Sequence, residues 1–124
     1  MIALAGYLYA ALAAAAVLFQ VALAFGAPWG AAAMGGRWQG RFPVPVRAFA
    51  LAQAGVIAGM ALVVAARAGI TELSAGPRWL FWIVLLLTAL SAVANLTTPS
   101  APERKLWAPV TLVMLIAAGI VAFG

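Results

Sequence analysis

The sequence predicts an all-α fold in which four helices cross a membrane as one four-helix bundle made of two helical hairpins. Three observations carry this reading. Hydrophobic residues make up 68% of the 124 residues and charged residues only 7%, with a mean hydropathy of +1.15. A water-soluble domain of this size needs far more polar surface to cover its core. The apolar residues are also gathered into long runs without a charge, as expected of spanning helices rather than core helices. Finally, Gly, Pro and charged residues collect between those runs. One charged side chain at the bilayer centre costs roughly 2.5–3.5 kcal/mol on insertion scales, so charge-free runs are expected where lipid is the solvent.

The first helix is expected over residues 2–25, long enough to span with some tilt. Ala22 and Ala24 resemble a signal-peptide cleavage context, but no basic segment precedes the run and it is too long for a signal core. Residues 26–45 then form a loop that is both Gly/Pro/Arg-rich and greasy, through Trp29, Met34, Trp38 and Phe42. Such an amphipathic segment is expected at the membrane interface or folded back on the bundle, where Trp is favoured. Pro43 and Pro45 stand at the entrance of helix 2, where a missing N–H costs little. Helix 2 is expected over 46–66 and helix 3 over 78–96, joined by the polar link from Ala68 to Pro77. Helix 4 is expected over 106–123. Ser100 and Glu103 have capping-box spacing ahead of it, the serine accepting from the Glu103 N–H while the carboxylate reaches back. All 124 residues form one transmembrane domain in this reading.

A short echo links the openings of helices 2 and 4. Arg41-Phe42-Pro43-Val44 and Arg104 to Val110 both read basic, aromatic, Pro-Val. A duplicated hairpin would cross twice per unit and keep its orientation, unlike the inverted repeats of many transporters. Arg37, Arg41, Arg47, Arg104 and Lys105 flank the two outer loops, against Arg67 and Arg78 at the middle link. That imbalance places the outer loops in the cytoplasm and both termini outside.

Several function classes drop away. Seven basic residues spread over short loops, with net charge +5, make no continuous stripe for nucleic acid. The chain has no Cys and no His, which removes thiolate chemistry, histidine-ligated haem, most zinc sites and the commonest general base. The only acids, Glu72 and Glu103, lie in connections. No catalytic residue, metal or cofactor is therefore expected, nor a midplane charge of the kind that coupled transporters use.

What remains are polar and small residues in apolar surroundings. Gln20, Gln53, Ser91 and Asn95, with Thr88 and Thr111, fall in or near the spans. They form either a small polar cavity or, more commonly in membranes, interhelical hydrogen bonds worth about 0.6–2 kcal/mol each. Gly55 and Gly59 make a GxxxG motif on helix 2, read here as close packing within the bundle, with a dimer face as the alternative. Gly35, Gly36, Arg37, Trp38 and Arg41 offer a backbone nest and two guanidinium groups to a lipid phosphate or a partner, against the plainer reading of a flexible loop bearing orientation signals. Trp79, Trp82 and Trp107 read as an interfacial aromatic belt.

Gly26-Ala27-Pro28-Trp29-Gly30, Gly35-Gly36, and a Pro and Arg47 before helix 2 recur in a recognisable order, followed by Asn95, Pro99-Ser100, Glu103-Arg104 and Trp107-Ala108-Pro109-Val110. This pattern resembles that of a group of small, functionally uncharacterised bacterial four-helix membrane proteins. The resemblance implies four helices and a bacterial cytoplasmic membrane, and carries over no activity. The leading expectation is a non-catalytic accessory subunit or regulator that acts through helix faces and Arg-bearing loops, on itself or another membrane protein. The alternatives are a binder of lipid or an apolar small molecule, and an oligomeric transporter or channel component.

Overall fold

The computed structural model describes residues 1–124 and contains helices and turns only. The four long helices are α1 (Ile2–Ala24), α2 (Val44–Ala68), α3 (Arg78–Thr97) and α4 (Ala101–Phe123). Two single 3₁₀ turns, Gly30–Ala32 and Met34–Gly36, lie in the first loop. Helices of 20 to 25 residues are about 30–37 Å long at 1.5 Å per residue, which matches the hydrocarbon thickness of a bilayer. All four are long and apolar enough to cross a membrane, and only 17 to 28% of each apolar window is buried within the chain. Leu4, Leu18, Leu62 and Ile116 are among the large side chains left outside. An outer surface of this kind fits acyl chains.

Two helices start earlier than expected from the sequence. α2 begins at Val44 rather than residue 46, with Pro43 as N-cap and Pro45 in the first turn. α4 begins at Ala101 rather than residue 106 and carries Pro109 inside it. The amide that Pro109 lacks would have met the carbonyl of Lys105, an exposed residue near the helix start, so the helix continues through the proline. Pro43 thus precedes its helix while Pro109 lies within one, and the sequence echo between the two hairpins is not a structural repeat.

α1 is central to the packing: it lies against both α2 and α4, and α4 also packs against α3, whereas α2 and α3 barely touch. Both chain ends meet at one end of the bundle, where Gly124 approaches Ile2. That termini end holds the larger core, built around Tyr9, Val64, Phe81, Val84 and Met114. Small residues there (Ala5, Ala13, Ala117 and Ala118) let the helices come close. The loop end holds a second core of Leu23, Ala33, Phe42 and Ala50. The first loop therefore folds back on the bundle and buries Phe42 and Ala33. Gly30 makes this fold possible. Its N–H donates to the Gly40 carbonyl at 2.8 Å, and a Cβ at this position would run into the carbonyl oxygens of Trp38 and Gly40.

Candidate functional site

Between the two cores lies a cavity of about 610 Å³, inside the roughly 300–1,000 Å³ range of small-molecule sites. Its walls come from the loop-end half of every helix: Ala16, Phe19 and Gln20 of α1, Phe49 to Met60 of α2, Leu87 to Asn95 of α3, and Glu103, Trp107 and Thr111 of α4. Ala32, Ala33 and Met34 of the first loop close the loop end. The side between α2 and α3 is open, because these helices scarcely meet. Phe49 and Val56 on one lip and Leu90 on the other are about half exposed. The mouth thus faces the surface that lipid would cover.

Four residues singled out in the sequence, Gln20, Gln53, Ser91 and Asn95, come from three helices and all line this one cavity. They do not bond to one another across the bundle. Asn95 donates its amide to the Ser91 carbonyl at 2.8 Å, one turn back on its own helix. No enclosed side-chain polar atom is without a partner, so the Gln20 and Gln53 amides face open space rather than a neighbouring helix. The interhelical hydrogen bond in the core is instead between Tyr9 Oη and Thr88 Oγ1, 2.7 Å apart, with Thr88 also donating to the Val84 carbonyl at 2.8 Å. Tyr9 did not stand out in the sequence. Its signal was a phenol inside an apolar run, which has to find a partner where there is no water.

The loop end is fastened by the start of α4. Ser100 caps the helix by accepting from the Glu103 N–H at 3.2 Å, and its hydroxyl donates to the Ala31 carbonyl. The reciprocal half of the expected capping box is absent, because the Ser100 N–H goes to Thr98 Oγ1 at 3.3 Å. Glu103 turns instead to the first loop, where its Oε1 accepts the Gly35 N–H at 3.2 Å. That bond also corrects the expected phosphate nest. The Gly36 and Arg37 N–H groups are taken by the carbonyls of Ala33 and Met34, so all three amides of the nest are satisfied within the chain. Arg37 and Arg41 are exposed and do not line the cavity; Arg37 lies 5.1 Å over the Trp38 ring. Arg47 donates to the Phe42 carbonyl at 2.8 Å and Arg104 to the Thr98 carbonyl at 2.7 Å, each stapling a turn.

Gly55 and Gly59 are exposed, and a Cβ on either would meet no atom within 4 Å. They do not pack inside the chain, as their spacing had suggested, because α2 turns its other face to α1. The aromatic belt divides in the same way. Trp79 and Trp82 lie on the outer surface, but Trp107 turns inward, lines the cavity and meets Phe19 edge-on at 4.9 Å. Phe19 in turn stacks with Trp29 of the loop at 6.1 Å. Comparison with models of known protein families, with curated proteins and with solved structures returned no match.

Proposed function

We propose that this protein is a non-catalytic binder of one amphiphilic small molecule, a lipid or a lipid-like compound, which enters from the bilayer between α2 and α3. The observation that carries the proposal is the gathering of polar side chains from three helices, together with Glu103 and Thr111 of α4, onto the walls of an otherwise apolar cavity open on its lipid-facing side. Apolar walls with a few convergent polar groups are the usual make-up of a small-molecule site. The cavity ends against the Tyr9 core at the termini end, which favours a binding chamber over a through-path for solutes. The membrane we assign is the bacterial cytoplasmic membrane, with the Arg-bearing first loop inside and both termini outside. A second reading, interaction through helix faces, is favoured by the exposed Gly55–Gly59 face of α2.

Native mass spectrometry of protein extracted gently from its membrane tests the proposal. The wild type is expected to retain a small-molecule adduct and to bind added dodecanol. Ala52→Trp and Ala94→Trp, on the two lips of the mouth, are expected to lose both. Ala58→Trp, exposed on α2 outside the cavity, is expected to keep them. If occupancy is the same in all four proteins, the cavity is not the binding site.

A further inference from the structure

The chemistry of the cavity wall says which head group it suits. Glu103 is 9% exposed and is the only acidic side chain on the wall, while no Arg or Lys lines the cavity at all. A carboxylate in apolar surroundings is costly unless its oxygens are satisfied and its charge is met. Here one oxygen, Oε1, accepts the Gly35 N–H. Oε2 accepts no hydrogen bond from the chain, and no enclosed side-chain oxygen is orphaned, so Oε2 keeps accessible surface on a residue that lines the cavity.

The latch to Gly35 accounts for the inward turn of Glu103 but uses only Oε1, and neither the helix dipole nor the cap needs the second oxygen. An acid in the first turn offsets the helix dipole, but it does so equally well from the water-facing side of α4, where Arg104 and Lys105 are exposed. The helix cap itself is supplied by Ser100. Glu103 instead points the same way as Trp107, one turn further along α4, and both line the cavity. Trp107 is braced edge-on by Phe19, which is also on the wall. A carboxylate oxygen beside aromatic rings, with no competing cation, is an arrangement that takes an ammonium group: the oxygen accepts its N–H and the ring faces attract its charge.

Depth fits the same occupant. Glu103 and the loop residues Ala32 to Met34 mark the loop end of the cavity, and Met60 and Leu87 mark its inner end. From Phe49 to Met60 the wall runs about 16 Å along α2 at 1.5 Å per residue, the reach of an extended alkyl tail. A cationic amphiphile in that leaflet would already hold its head near the interface and its tail toward the midplane, so it would enter sideways without turning over.

We infer that the cavity selects amphiphiles with a cationic amine head, held by Glu103 Oε2 and the Trp107 ring with the tail between α2 and α3. The inference rests on the binding function proposed above and adds the head group. It excludes fatty acids and other anionic amphiphiles, which would set like charge against Glu103.

Titration of the purified protein with dodecylamine, dodecanol and dodecanoate, read by native mass spectrometry, tests it. The wild type should prefer dodecylamine to dodecanol by about tenfold or more, the scale of one charge-assisted hydrogen bond, and bind dodecanoate least. Glu103→Gln should bring dodecylamine down to the level of dodecanol and leave dodecanol binding within about twofold, since only the charge-assisted bond is lost. The substitution keeps an oxygen to accept the Gly35 N–H, so the loop stays fastened. Glu72→Gln, in the exposed middle link, should change nothing. Equal binding of amine and alcohol by the wild type, or an amine preference that survives Glu103→Gln, overturns the head-group assignment while leaving the cavity as a binding site. Failure of the wild type to bind dodecanol overturns the function on which the inference rests.

Discussion

At the scale of single residues, the polar groups of this chain divide by whether their bonds are closed. Tyr9 and Thr88 are closed. They are 0% and 2% exposed, and because the Thr88 hydroxyl donates to the Val84 carbonyl, the Tyr9 hydroxyl is the donor in the bond between them. Tyr9→Phe removes that donor and leaves no orphaned N–H or O–H behind, so the cost should be that of one membrane-buried hydrogen bond, about 0.6–1.7 kcal/mol. Thr88→Val should cost more, because it leaves the buried Tyr9 hydroxyl without an acceptor. The double variant should be no worse than the poorer single one beyond about 0.5 kcal/mol, because both changes delete the same bond. Thermal unfolding in detergent measures all three, and fully additive losses would mean that the two residues act separately. Gln20 and Gln53 are the contrasting case. Their residue type and place in the apolar runs were legible in the sequence, but whether they would bond across the bundle or face a cavity depends on how far apart α2 and α3 lie, which no local pattern encodes.

At the scale of elements, the helices were legible because lipid leaves a backbone few alternatives: an apolar run of this length has to satisfy its own amides. Helix starts were less so. Pro43 and Pro45 were recognised at the entrance of helix 2, yet α4 was expected to begin past Glu103 because the polar, proline-rich stretch from Thr97 reads as a turn; Ser100 as N-cap carries the helix back to Ala101. The Glu103–Gly35 bond joins residues 68 positions apart, and only the folded chain shows that a capping acid is used as a latch. The GxxxG motif was misread for a related reason, since spacing marks a slim face without saying toward which neighbour it turns. With open space around both glycines, Gly55→Leu combined with Gly59→Leu should not destabilise the monomer. Replacing glycine in a helix interior instead gains up to about 1 kcal/mol per site in propensity. Thermal unfolding of monodisperse protein in detergent checks this, and a clear fall in melting temperature would show that a second copy of the chain packs on that face.

For the whole molecule, shape and charge distribution act together. The cavity sits in the loop-end half of the bundle, and most of the basic residues gather at that same end. Arg37, Arg41, Arg47, Arg104 and Lys105 flank the loop end, while Arg67 and Arg78 flank the other. Arg47 and Arg104 also staple backbone turns through their guanidinium groups, so part of the loop-end charge serves folding as well as topology. If the loop end is cytoplasmic, the orientation proposed from the positive-inside bias, the cavity samples the inner leaflet and its amphiphile is drawn from there. The absence of cysteine makes the orientation directly measurable, because an introduced thiol has no native background. Gln39 of the first loop and Glu72 of the middle link are both exposed. In intact cells a membrane-impermeant maleimide should label Glu72→Cys and spare Gln39→Cys, which should react only after the membrane is opened. The reverse pattern would move the cavity to the outer leaflet without altering its walls, and the source of the ligand would change with it.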